Sequence, residues 1–137
     1  EKHALHVGKW IGYPETFYWN GALRYAYLAK DKELLNRLQD KFEPLFTSEK
    51  ALQPIMNHVD LNMFGSLPLE MYHVTKDKKY WYLGLPYADS QWEVPANAKP
   101  KEKEWAEKGY SWQTRLWIDD MYMITIVQTR IQSDKRP

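Results

Sequence analysis

An all-α fold is what this sequence predicts, and three observations predict it. Apolar residues recur at helical spacing in five segments. No segment sustains the period-two alternation that a half-buried strand needs. Two stretches also resemble each other, "ALRYAYLAKDKELLNRL" and "LPLEMYHVTKDKKYWYL": in each, an apolar helix, a Lys-Asp-Lys turn and a second apolar helix follow in order. Helix pairs joined this way build bundles, solenoids and α/α-barrels.

The first helix is read over residues 15–30, from Phe17, Leu23, Tyr27 and Leu28. The second covers 33–46 through Leu34, Leu35, Leu38, Phe42 and Leu45, with Pro44 bending or ending it. Residues 47–57, with Pro54, read as a loop. The third helix covers 60–74, with Leu61, Phe64, Leu67, Leu69 and Met71 as its apolar set and Asp60 as its N-cap. After a tight connection at Thr75-Lys76-Asp77, the fourth runs from 77 to about 91. Residues 94–109 are rich in Lys, Glu and Pro and read as an exposed excursion. The fifth helix covers 116–131 and is apolar nearly all round, which is the pattern of a helix enclosed by protein. Five helices can hardly enclose one of their own, so more chain is expected around it.

Composition narrows the function classes. The length, 137 residues, is that of one domain. The chain is 44% hydrophobic and 15% aromatic, with seven Trp and ten Tyr, which suits either a packed core or rings that stack on sugars. Nineteen basic and eighteen acidic residues give a net charge of +1, so neither nucleic acid nor an anionic membrane is an expected partner. The absence of cysteine excludes disulfides and thiolate metal sites. No apolar run approaches the ~18 residues of a membrane span. Glu1 rather than Met opens the sequence, so processing or trimming of the start is expected, with an export signal among what that removes. The compartment stays open between periplasmic or secreted and cytoplasmic.

Three places are candidates for chemistry. The first is Asp119-Asp120 inside the apolar fifth helix. A carboxylate buried there is costly unless paired, hydrogen-bonded or protonated, and a carboxyl that holds its proton is what a general acid needs. The alternative is a structural pair bound to Arg115 or to helix N–H groups. Adjacent helical residues point about 100° apart, so one of the two is expected to face a cavity. The second is Asn57-His58-Val59-Asp60, either a helix cap or a carboxylate at a helix mouth. The third is Phe17-Tyr18-Trp19-Asn20-Gly21, either a sugar platform with a hydrogen-bonding amide or a helix contact eased by Gly21. There is no phosphate-cradling glycine loop, no Gly-x-Ser-x-Gly elbow and no His-Glu-x-x-His. The four histidines, at 3, 6, 58 and 73, make no metal set, and no cofactor is implied.

The stretches "WNGALRYAYLAKDKEL", "NHVDLNMFGSLPLEMYHVTKDKKYW" and "TRLWIDDMYMI", in this order, resemble glycoside hydrolase families 88 and 105, the unsaturated glucuronyl and rhamnogalacturonyl hydrolases. The resemblance implies a six-hairpin (α/α)6 barrel. Twelve helices of three or more turns, at ~1.5 Å per residue, need well over twice this length. Residues 1–137 are therefore expected to form a single domain that is an incomplete barrel, its first five or so helices, inactive by itself. The resemblance also implies the reaction, removal of a terminal unsaturated uronic acid from lyase-generated oligosaccharides by hydration of the C4=C5 bond. The partner it implies is an oligosaccharide with that residue at its non-reducing end, as handled by a polysaccharide-degrading bacterium. By match to the motifs, Asp119 is the proton donor and water activator, and Asp60 is the second acidic residue. Trp19 and Asn20 form the platform, Met123 lines the pocket, and His58 and Trp112 join them as substrate-binding residues. Lys108-Gly109-Tyr110 stands where relatives carry a His, and Asp120 where they often carry a small or neutral residue.

Two other readings stay beside this one. A non-catalytic carbohydrate-binding or scaffold protein of the same helical build needs no catalytic acid. Another α/α-barrel enzyme, a lyase or an inverting glycosidase, needs a different set. For the inverting case this means a second carboxyl roughly 6.5–9.5 Å from the first, with Asp60 as the candidate.

Overall fold

The computed structural model describes residues 9–133, and among them every regular element is helical. Helix α1 spans Tyr13–Leu28; Pro14 sits in its first turn, and Glu15 reaches back to accept from the Gly12 N–H at 3.1 Å. This cap starts the helix two residues before the apolar pattern does. Helix α2 spans Lys32–Phe42 and is capped by Asp31, which accepts from the Leu34 N–H at 2.9 Å. It ends where a 3-10 turn, Glu43–Phe46, takes in Pro44. A short 3-10 turn at Lys50–Leu52 interrupts the loop that follows.

The third predicted helix is a composite. Helix α3 (Val59–Asn62) passes through a 3-10 turn (Met63–Gly65) into α4 (Ser66–Thr75) without a break. Its cap is His58, whose Nδ1 accepts from the Asp60 N–H at 3.2 Å, so the expectation that Asp60 caps this helix is corrected. Helix α5 spans Lys78–Asp89 and is capped by Asp77. The two Lys-Asp-Lys turns share one geometry: Lys30 and Lys76 both take left-handed backbone (φ 55° and 61°), and the Asp that follows caps the next helix. The predicted excursion contains a helix, α6 (Pro100–Glu107), with Pro100 at its first position and Glu102 accepting from the Lys99 N–H at 2.7 Å. Helix α7 spans Ile118–Ser133.

Side-chain contacts set the direction of the layer that carries the site. Asn20 donates to Ser66 Oγ at 2.8 Å, and one turn further along both helices Arg24 pairs with Glu70. Phe17 stacks on Tyr122 at 5.2 Å, and Arg130, two turns beyond, pairs with the same buried Glu70. Helices α1, α4 and α7 therefore run in one direction. Helix α2 packs against α1, and α5 against α4. Phe42 of α2 gathers Trp19, Phe46, Phe64 and Tyr80 around its ring at centroid distances of 5.5–6.5 Å. Against α5 the backbones come close at two glycines. A Cβ on Gly84 would lie 2.6 Å from Leu69 Cγ, and one on Gly65 would fall onto the Tyr87 side chain. Leu67, Leu69 and Met71 of α4 are fully buried, whereas α7 buries Met123, Ile126 and Val127 and leaves Ile118 and Met121 open. Among the described residues no helix is long and apolar enough to cross a membrane.

Candidate functional site

Residues 111–113 are tied to the end of α5: Ser111 donates to the Gln91 carbonyl and Trp112 Nε1 to the Ser90 carbonyl, both at 2.7 Å. The chain then turns sharply at Leu116, whose backbone is left-handed (φ 60°). This costs a non-glycine residue about 1–2 kcal/mol, and here it lets two N–H groups converge. Arg115 N–H at 2.5 Å and Trp117 N–H at 3.4 Å both reach Asp120 Oδ2, with the Thr114 hydroxyl at 3.4 Å. Asp120 is fully buried, and its other oxygen takes Arg115 Nε at 3.0 Å and Nη2 at 2.5 Å. Burial works to raise this carboxyl, but the Arg115 side chain and the backbone N–H groups of Arg115 and Trp117 outweigh it and hold it below the usual carboxylate range.

The same guanidinium reaches across to α3. Arg115 Nη2 lies 2.9 Å from Asp60 Oδ1 and Nη1 3.4 Å from Oδ2, a two-pronged contact. Asp119 Oδ2 stands 3.8 Å from the same Nη2. Two carboxylates from distant motifs thus meet at one cation, with His58 Nδ1 3.6 Å from Asp60. The Trp117 ring covers the guanidinium at 4.2 Å. Hydrogen bonding to Asp120 makes Arg115 a stronger base than usual; burial opposes this and Asp60 adds to it.

The two neighbouring acids divide the roles that the sequence left open. Asp120 is the structural pair, bound to Arg115 and to backbone N–H groups. Asp119 is half exposed, 50% by side chain, and on its flank of α7 lies Tyr122, stacked on Phe17. A recess of about 320 Å³ lined by Tyr122, Thr125, Ile126, Thr129 and Arg130 runs along the helix there. A larger, mostly apolar cleft of about 560 Å³ involves the residues 118, 121, 124 and 125 of α7, with Trp92, Tyr110 and Trp117, and none of the predicted site residues lines it.

The remaining sequence candidates fall elsewhere. Trp19 is 1% exposed and stands edge-on to Phe42 at 6.0 Å, so it is a core ring and offers no face to a sugar here. Asn20 is also buried; its amide nitrogen serves Ser66, and its Oδ1 accepts no hydrogen bond. Met123 is packed in the core with Val127. Trp112 borders a separate recess of about 360 Å³ with Asn57, Glu93 and Glu102. His58 is the α3 cap, and its side chain is 46% exposed beside Asp60. His3 and His6 lie outside the described residues. Among the described residues no group of three or more His, Asp or Glu is placed to hold a metal ion. Sequence reasoning saw Arg115 only as a possible partner for the acids. Its place between two motifs depends on the α3–α7 contact, which no local pattern announces. The exposed aromatic pair is Phe17 with Tyr122, whereas Trp19, two residues along α1 from Phe17, is buried.

Compared with protein-family models, curated proteins and solved structures, the chain finds no match in any of the three.

Proposed function

We propose that the chain is part of an unsaturated-uronyl hydrolase, acting on an oligosaccharide that ends in a C4=C5 unsaturated uronic acid. One observation carries the reading: Asp60 and Asp119, singled out from separate motifs, share the Arg115 guanidinium. In this reading α1, α3–α4 and α7 are inner helices of an (α/α)6 barrel, paired in hairpins with outer helices such as α2 and α5. The site lies at the N-terminal ends of the inner helices.

The chemistry follows from those groups. Asp119 donates a proton to C4 of the vinyl ether, and the ring oxygen stabilises the cation that forms at C5. The Asp119 carboxylate then takes a proton from water as the water oxygen bonds to C5. The hemiketal so formed opens, and the leaving sugar departs. Asp60 and Arg115 hold the donor in place, and the Phe17–Tyr122 pair offers a ring face to the sugar. A uronate adds negative charge to a cluster of three carboxyls and one guanidinium. Substrate is therefore held best when one carboxyl is protonated, the form a proton donor needs.

One observation favours a second reading, a non-catalytic carbohydrate-binding protein. The buried carboxylate is Asp120, and its contacts account for it without catalysis. The ultraviolet absorbance of the unsaturated uronate separates the two. Full-length protein incubated with lyase-generated disaccharides is expected to bleach it, and Asp119→Asn is expected to lose that activity while staying folded. No bleaching on a broad panel of disaccharides would leave the binding reading in place.

A further inference from the structure

We infer that Arg115 is the positioning residue of this site: it fixes Asp60 on α3 and Asp119 on α7 at one cation. The inference rests on the hydrolase reading only for the reaction it serves. The geometry is that of a clamp with one fixed jaw. Asp120 is buried and holds Nε and Nη2, while the backbone N–H of Arg115 itself is held by the same carboxylate. The guanidinium therefore cannot swing, and Trp117 closes its face at 4.2 Å. What remains of its donor edge goes to Asp60 in two places, and Asp119 stands beside the same Nη2 at 3.8 Å as a charge partner.

The fork shape matters as much as the charge. A guanidinium presents five N–H donors in a plane and can serve three carboxylates at once, whereas an ammonium is a point charge on a flexible stem. The ionisable groups that meet here are His58 and Asp60 from the α3 end and Arg115, Asp119 and Asp120 from the α7 end. Arg115 is the permanent cation among them. Without it Asp60 and Asp119 face each other with no charge between them, and each then resists the other's ionisation.

Two substitutions in the full-length protein test this, each measured on the folded fraction. Arg115→Lys keeps the charge and loses the fork. It is expected to lower kcat about 100-fold, the scale of a catalytic group misplaced by an ångström, and to leave the alkaline limb of the pH–rate profile, where the donor loses its proton, near its place. Arg115→Gln loses both and is expected to move that limb to higher pH as well. A purely structural Arg115 would lower thermal stability and leave kcat and the profile of the folded fraction unchanged, which would overturn the inference. A second measurement needs neither turnover nor a change at Arg115. The carboxyl 13C signal of Asp119 is followed through a pH titration in the parent and in Asp60→Asn. A displaced midpoint is expected, and an unmoved one overturns the pairing. A parent that is inactive on every disaccharide overturns the hydrolase reading, and the 13C titration still decides this one.

Discussion

At the scale of single residues, the site turns on how two adjacent carboxylates are treated. Asp120 faces inward and accepts from Arg115, Trp117 and Thr114, whereas Asp119, about 100° round the helix, faces the open flank. Asp120→Ala removes the partner of a guanidinium and of two backbone N–H groups, and is expected to cost about 2–3 kcal/mol in chemical denaturation. The acid response follows from the same contacts. Asp120 is held below its ordinary value of 3.8 when folded and returns to it when unfolded. Its contribution is therefore complete above that value and is lost as pH falls through the lower folded one. Acid unfolding followed by circular dichroism is expected to show a flatter response for Asp120→Asn than for the parent in that window. The sequence made the pair visible, because two acids in so apolar a helix stand out. It could not say which acid would be buried, since that depends on the left-handed turn at Leu116, a residue type with no preference for such a turn.

At the scale of elements, helices with an apolar face and a cap were legible and the others were not. The turn from α1 to α2 and the turn from α4 to α5 both read correctly, because Lys-Asp-Lys supplies an Asp cap in each. Helix α6 was missed because it buries no residue fully and has no apolar stripe to show. Its signals were Pro100 at the first position and Glu102 in the first turn, in a stretch of good helix formers. The third helix was placed two residues off at its cap, because Asp is the commoner cap and His58 fills the role here. That substitution leaves the Asp60 carboxylate free for Arg115. The contact between the α3–α4 run and α5 depends on having no side chain at two positions. Gly65→Ala would press a Cβ onto Tyr87 and is expected to cost about 1–3 kcal/mol by thermal or chemical denaturation.

At the scale of the whole molecule, α4 is covered on both sides, while α1 and α7 form the open margins of the layer. Tyr18, Tyr25 and Leu28 stand exposed on α1, and Trp117, Ile118 and Met121 at the start of α7. The sequence called for protein all round α7, and the described residues cover one side of it. In the barrel reading further helices meet these margins. The 137-residue chain expressed by itself is accordingly expected to self-associate in sedimentation velocity, and the double substitution Ile118→Ser, Met121→Gln to reduce that association. The shared direction of α1, the α3–α4 run and α7 also gives the molecule an electrical polarity. Three helix N-termini, each carrying roughly +0.5 of an elementary charge, open toward the same end. The acids of their first turns, Glu15, Asp60, Asp119 and Asp120, sit in that positive field. An anionic sugar arriving at this end would meet a backbone potential of opposite sign to its own, which offsets part of the repulsion from the side chains.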